Sequence, residues 1–249
     1  MAYLHAGKAL YASTIRDHIL KLCNNFGTDY VVLCRETSLT NFRIRIAKSK
    51  GYKSHRPKAK EKLKVYLPYL HDVFKWANLF LPATLFKGIE NDDVFSLISY
   101  KYEQYKEQIY ICGNDSDLLA IPANHFNIKK NNLVKVRLPG SINDNGKKIV
   151  ATGIYNKWFK IIAGASKENY EGVKGLGPKR TYNLIKDCKD EEELKTVAIE
   201  AFYTTYGPEL GKEKLEEGYS LCNLLKRNQS FVDPLVTNFT KYASLKLIW

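Results

Sequence analysis

Leu10, Ile15, Ile19, Leu20 and Leu22 recur at helical spacing from Lys8 to Leu22, and Asn24, Asn25 and Gly27 then break the pattern. That predicts a helix followed by a turn. Tyr30-Val31-Val32-Leu33-Cys34 and Gln108-Ile109-Tyr110-Ile111-Cys112 are short apolar runs rich in β-branched residues, the signature of strands buried on both faces. Between them, helical patterns run from Lys62 to Leu79 and from Val94 to Tyr105, the second with Val94, Leu97, Ile98 and Tyr102 on one side. The order strand, helix, helix, strand implies a mainly parallel sheet and an α/β fold. Past about Ala151 strand signals give way to helical ones, interrupted by a Gly and Pro tract at Gly172 to Pro178 and continuing to about Arg227. The expected organisation is an α/β part over 1–150, with a basic arch at about 40–75, and a helical part over 151–249. No internal repeat or low-complexity segment intrudes.

A length of 249 residues suits one large domain or a domain with an appended subdomain, and 45% hydrophobic with 26% charged residues is ordinary for a globular protein. The charge balance is not ordinary. A net charge of +13 and a pI near 9.3 favour a polyanion as partner, nucleic acid first, with a solubilising surface as the plainer alternative. Cys23, Cys34, Cys112, Cys188 and Cys222 form no C-x-x-C pair and sit mostly in apolar runs, which argues for reduced thiols, against zinc and for a cytosolic compartment. No apolar stretch approaches a bilayer span and no signal-peptide pattern opens the chain, so membrane and secreted readings are set aside.

The surplus cations are concentrated. Arg43, Arg45, Lys48, Lys50, Lys53, Arg56, Lys58, Lys60, Lys62 and Lys64 face Glu61 as the single acid of that segment. Such density repels itself unless phosphates lie against it. Tyr52 and His55 interleave with the cations and suit stacking on an unpaired base, with helix packing as the alternative for Tyr52.

Acidic residues gather at predicted element ends: Glu36 after the first strand, Asp115 and Asp117 after the second, and Glu90, Asp92 and Asp93 at a helix start. In a parallel sheet the carboxyl ends of the strands share one edge, so these carboxylates should converge there. Carboxylates packed together repel unless protonated or bridged by a cation, and an all-oxygen set suits Mg2+ or Mn2+. Paired metals roughly 3.5–4 Å apart would serve phosphodiester hydrolysis. The alternative is plain helix chemistry: Asp92 and Asp93 as dipole-favoured charges and Asp115 as a cap. Gly172-Val173-Lys174-Gly175-Leu176-Gly177-Pro178-Lys179 lies between helical patterns; Gly172, Gly175 and Gly177 allow close approach to a phosphate beside Lys179, or form an ordinary turn.

Taken together these residues resemble the 5′-nuclease family of flap endonucleases and 5′-to-3′ exonucleases, over about Ala2 to Ile185. Glu90-Asn91-Asp92-Asp93 resembles the family's E-A-D-D, Asp115-Ser116-Asp117-Leu118-Leu119 its D-x-D-l-l, and Tyr52-Lys53-Ser54-His55-Arg56 its Y-K-x-x-R. Gly164 to Gly177 is similar to its helix-three-turn-helix signature G-D-x-x-D-N-x-x-G-V-x-G-I-G. The resemblance implies a PIN-like sheet domain with a helical DNA-binding part. It also implies metal ligation by Glu36, Glu90, Asp92, Asp115, Asp117 and Glu168, help from Asp93 through the outer shell, and a grip on the scissile phosphate by Lys53 and Arg56. Arg45, Tyr52, Lys58 and Lys60 would lie in the arch that receives a 5′ single strand, and the glycine hairpin would contact duplex, with K+ bound there. A monomer acting on 5′-ended DNA, or on RNA in hybrids, beside replication proteins in a bacterial or host cytoplasm completes the expectation.

Three departures stand against the family pattern. Met1-Ala2-Tyr3-Leu4-His5-Ala6 resembles the stretch that follows the family's first strand and its Asp, so either the true start lies upstream or the chain lacks that strand. At the hairpin, Ala165 and Glu168 occupy the two Asp positions. The competing expectations are therefore a metal-dependent 5′-nuclease and an impaired member that binds branched or 5′-ended nucleic acid without cutting. A toxin-like ribonuclease is disfavoured by the helical part.

Overall fold

The computed structural model describes residues 8–28, 31, 33–36, 43–48, 51–54, 83–86 and 90–224. By contacts the chain divides into two units, Met1–Thr37 with His55–Lys87, and Ser38–Ser54 with Gly88–Trp249. In the first, helix α1 (Lys8–Phe26) runs a turn beyond the predicted Leu22 and stops at Gly27, whose φ of 59° is the left-handed conformation that ends helices. Strands β1 (Leu33–Glu36) and β2 (Ala83–Phe86) pair in parallel, Leu33 opposite Ala83 and Glu36 opposite Phe86. The helix expected over Lys62 to Leu79 lies outside the described residues.

The second unit opens with a short helix α2 (Arg43–Ile46) and helix α3 (Asn91–Lys101). Strands β3 (Tyr110–Cys112), β4 (Asn124–Asn127) and β5 (Asn132–Lys135) form one sheet, β3 parallel to β4 and β4 antiparallel to β5. Connection length decides each sense. Residues 113–123, with a 3-10 turn at Ser116–Ala120, are long enough for a crossover, whereas the turn 128–131, with Asn131 at φ 52°, can only fold back. A second hairpin pairs β6 (Ile142–Asp144) with β7 (Ile149–Ala151), antiparallel. The class is α/β as read from the sequence. Among the described residues the strands stand in three small sheets, with parallel pairing at β1–β2 and β3–β4.

Helices α4 (Gly153–Ala163), α5 (Pro178–Ile185), α6 (Glu191–Tyr206) and α7 (Pro208–Cys222) complete the unit. Ile154, Trp158, Ile161 and Ile162 of α4 pack with Ile185, Leu194, Ala198, Phe202 and Leu221 in the main hydrophobic core. The loop after α4 is closed by backbone contact. Gly164 and Gly172 have φ of 90° and 69°, and a Cβ on Gly172 would stand 2.4 Å from the Gly164 nitrogen. Within that loop Ala165 and Tyr170 pair across a β-bridge, and the Tyr170 hydroxyl donates to the Ile161 carbonyl at 3.1 Å.

One ion pair joins distant parts of this unit. Arg43 is 1% exposed and Asp93 is fully buried. The guanidinium donates from Nη1 to Asp93 Oδ2 at 2.5 Å, from Nη2 to Asp93 Oδ1 at 2.8 Å, and to the carbonyls of Leu221 and Asn223 at 3.1 and 2.9 Å. Burial alone would lower the Arg43 pKa; Asp93, with Glu90, outweighs it and holds the group above its ordinary value. Sequence patterning assigned Arg43 to the phosphate-binding surface, but its position under α3 and the end of α7 removes it from solvent.

Removing one partner strands a buried charge, so Arg43→Leu should lower the unfolding free energy by roughly 3–5 kcal/mol in urea titrations, and Arg43→Leu with Asp93→Leu by less than the sum of the single changes. Gly172→Ala, which must move backbone atoms at a positive φ, should cost about 1–3 kcal/mol in the same assay.

Candidate active site

Four of the predicted carboxylates come together in the second unit through local backbone chemistry. Glu90 is the N-cap of α3, in a reciprocal capping box with Asp93, and Asp92 sits in the first turn, where the helix dipole favours negative charge. Asp115 follows β3 and caps the 3-10 turn, its Oδ1 accepting from the Asp117 amide at 3.2 Å. The capping reading of Glu90 and Asp115 is met, and capping by itself does not use every carboxylate oxygen. Helix α4 fixes the turn from the other side: Asn156 Nδ2 donates to the Ser116 carbonyl at 3.2 Å, and one turn on Lys160 Nζ lies 3.0 Å from Asp117 Oδ1.

Asp92 registers the convergence. Burial, then the negative charges of Glu90, Asp115, Asp117 and Asp93, pushes its carboxyl up to about 7. No cation pairs with it among the described residues. The other three are partnered: Lys53 Nζ bonds Glu90 Oε1, Lys167 Nζ lies 2.8 Å from Asp115 Oδ1, and Lys160 holds Asp117. Burial would raise the Asp115 carboxyl, but Lys167, the Asp117 amide and Lys160 outweigh it and hold it below the usual range.

The remaining predicted residues separate. Tyr52, expected on a base, is 8% exposed within the core, and its hydroxyl donates to Glu90 Oε2 at 2.8 Å; a ring so placed has no face to offer a nucleotide, and packing wins. The Lys53 amide donates to the Glu168 carbonyl at 3.3 Å, which brings the 3-10 turn Ser166–Glu168 beside the cluster. Asp93 serves through Arg43 and Glu90. Glu36 closes β1 in the other unit, and its carboxylate, like Arg56, Lys58 and Lys60, lies outside the described residues. Arg45 is exposed on α2.

The glycine hairpin forms as expected. Gly175, at φ 85°, and Gly177 are exposed, and Gly177 is the N-cap of α5. The Tyr206 hydroxyl donates to the Gly172 carbonyl at 3.1 Å and accepts from the Lys174 amide at 2.8 Å. Lys179 turns to Asp144 of the β6–β7 hairpin.

Lys160, Lys167 and Asn156 were missed by sequence reasoning. Lys160 and Asn156 are four apart, one turn of a helix, yet nothing in the spacing says which loop that face meets. As placed, no group of three or more His, Cys, Asp or Glu among the described residues stands ready to hold a metal ion. The all-oxygen donor chemistry nonetheless suits a hard divalent cation at Asp92, which alone of the four carboxylates has no cationic partner among the described residues.

The profile of the family described as 5′-3′ exonuclease, N-terminal resolvase-like domain, matches residues 7–148. The chain belongs to that family. Curated relatives of this 5′-3′ exonuclease family chain include the 5′-3′ exonuclease of Aquifex aeolicus, 28% identical over 176 residues that are 70% of this chain and 57% of the relative. Another is that of Buchnera aphidicola subsp. Schizaphis graminum, 29% identical over 168 residues, 66% of this chain and 55% of the relative. The chain thus spans little more than half the length of these relatives. Among solved structures, T5 5′-exonuclease with bound zinc ions superposes with a TM-score of 0.59 at 17% identity, covering 86% of this chain and 92% of that one. A bacteriophage T5 flap endonuclease in a pseudo-enzyme-product complex with DNA and metal ions gives 0.56 at 15% identity, covering 85% and 91%. At such identities the likeness shows the fold, which is the resolvase-like, PIN-like one.

Folding raises the Asp92 pKa above that of the unfolded chain, so the stability it carries is present below the ordinary Asp range and is lost as pH rises through about 7. In metal-free buffer the thermal midpoint should fall between about pH 4 and pH 7, and Asp92→Asn should flatten that fall. An unchanged slope in the variant would remove the charge cluster from the argument.

Proposed function

We propose that the chain is a metal-dependent 5′-nuclease hydrolysing phosphodiester bonds at or near the 5′ ends of DNA. The observation that carries the proposal is Asp92, crowded by burial and by Glu90, Asp115, Asp117 and Asp93, and without a cationic partner among the described residues. Glu90, Asp92, Asp115 and Asp117 would hold the metal, with Glu168 as a further donor. Bound there, a divalent metal supplies charge to the scissile phosphate and lowers the pKa of a water. Mg2+ or Mn2+ suits the oxygen donors.

The chain's own residues position and neutralise. Asp93 keeps the first turn of α3 in place through Arg43, so Glu90 and Asp92 project from a fixed helix end. Lys53 is part-exposed beside Glu90, where a phosphate would compete for its ammonium. The exposed glycine hairpin ahead of α5 supports backbone contact with duplex, and K+ there belongs to the same reading. DNA as substrate is supported by family membership and by the DNA held by the T5 relative. Action as a monomer in cytoplasmic replication or repair, beside other replication proteins, follows from the same reading.

A second reading has its own support. Ala165 stands where the family motif carries Asp, is 7% exposed within the core, and has its backbone tied to Tyr170, so it offers no side-chain donor. An impaired member would bind 5′-ended DNA without cutting it.

Flap, nicked and single-stranded DNA carrying a 5′ label, incubated with Mg2+ or Mn2+, should be cleaved near the label, and Asp115→Ala should reduce the rate by about a hundredfold or more. Binding to the 5′-tailed duplex with no turnover in either metal would transfer the conclusion to the second reading.

A further inference from the structure

Gly51, Tyr52, Lys53 and Ser54 form a turn closed by the Ser54 amide, which donates to the Gly51 carbonyl at 3.1 Å. Lys53 stands third in it, with φ at 51°. A positive φ at that place is ordinarily filled by Gly or Asn, because a longer side chain there crowds its own backbone. Lysine has no local means of offsetting the cost, so the surroundings must hold it. The unusual backbone has a visible result. Tyr52 and Lys53 are neighbours in sequence, yet both reach Glu90, the hydroxyl at Oε2 and the ammonium at Oε1. In an extended segment two successive side chains would point to opposite sides.

The support comes from the loop after α4. The Lys53 amide donates to the Glu168 carbonyl at 3.3 Å. Asn169 Nδ2 donates to the Gly51 carbonyl at 3.2 Å and to Ser54 Oγ at 3.1 Å, so one side-chain amide holds both ends of the turn and has a partner for each of its hydrogens. Asn169 is itself left-handed, at φ 63°, a conformation asparagine tolerates better than most residues, and its backbone amide donates to the Ser166 carbonyl at 3.2 Å. Two left-handed residues from distant parts of the sequence are thus locked together.

Resting on the nuclease reading above, we infer that Asn169 is a positioning residue for Lys53: it closes the Gly51 to Ser54 turn, and the turn delivers the ammonium to the acidic cluster at Glu90. Asn169 acts through the backbone of another segment and not by contact with a reacting group. Without its two bonds Lys53 relaxes toward an ordinary negative φ and its ammonium leaves Glu90. Phosphates bound elsewhere on the chain are still held, and what is lost is positive charge at the point of reaction.

A double-mutant cycle on cleavage tests this, using the full chain, a 5′-labelled DNA flap and Mg2+ under single-turnover conditions. Asn169→Gly removes both donors and keeps a residue suited to positive φ. It should slow cleavage roughly tenfold, while affinity for the same flap without metal changes by less than about twofold. In a Lys53→Ala background the same change should slow cleavage no further. Asn169→Asp, which keeps the size and replaces the donor with an acceptor, should repeat the pattern, and it carries the cycle where the circular-dichroism spectrum shows Asn169→Gly unfolded. Effects of Asn169→Gly and Lys53→Ala that multiply, or an Asn169→Gly rate equal to that of the wild type, overturn this inference and leave the nuclease reading standing. A wild-type chain that binds the flap without cutting it overturns the nuclease reading itself, and this inference with it.

Discussion

The buried contact between Arg43 and Asp93 organises the second unit. It closes the interval between a short helix near the start of that unit, the first turn of α3 and the last residues of α7, and these are separated by up to 180 positions. A buried ion pair is a poor source of net stability, because two charges must be stripped of water before they meet. Its value is in register. Both Asp93 oxygens face the guanidinium, and Asp93 in turn accepts from the Glu90 amide, so the first turn of α3 is tied to α2 and to the end of α7.

Part of the scaffold was legible because it follows local rules, while β2 and the strands β4 to β7 were not read from the sequence. The α1 helix, the strand entering Cys112 and the acidic opening of α3 are written in periodicity, apolar runs and cap chemistry, and each lies within a few residues of its predicted place. What escaped depends on contacts between distant segments. Arg43 looks like one more cation in a basic run, and no local feature marks it as the one that goes inside. Tyr52 presents the same ring whether it stacks on a base or fills a core, and only the position of Glu90 decides. The sense of β4–β5 is set by the short turn 128–131, which the apolar pattern passed over.

The acidic cluster was legible as a set of carboxylates and not as a balance of charge. Spacing shows acids at element ends; it does not show that α4 delivers Lys160 to one of them, or that the loop after α4 delivers Lys167 to another. A site of this kind is defined as much by its internal cations as by its donors, since every fixed positive charge reduces what the donors can attract.

The hydroxyl of Tyr206 has a wider consequence. One oxygen holds two residues at the entry of the glycine hairpin, Gly172 and Lys174, and that oxygen belongs to the last residue of α6, a helix otherwise occupied with core packing. The start of the hairpin is therefore anchored to the C-terminal end of α6. Alterations in the buried stripe of that helix at Leu194, Ala198 or Phe202 would reach the exposed glycines ahead of α5 through a single hydroxyl.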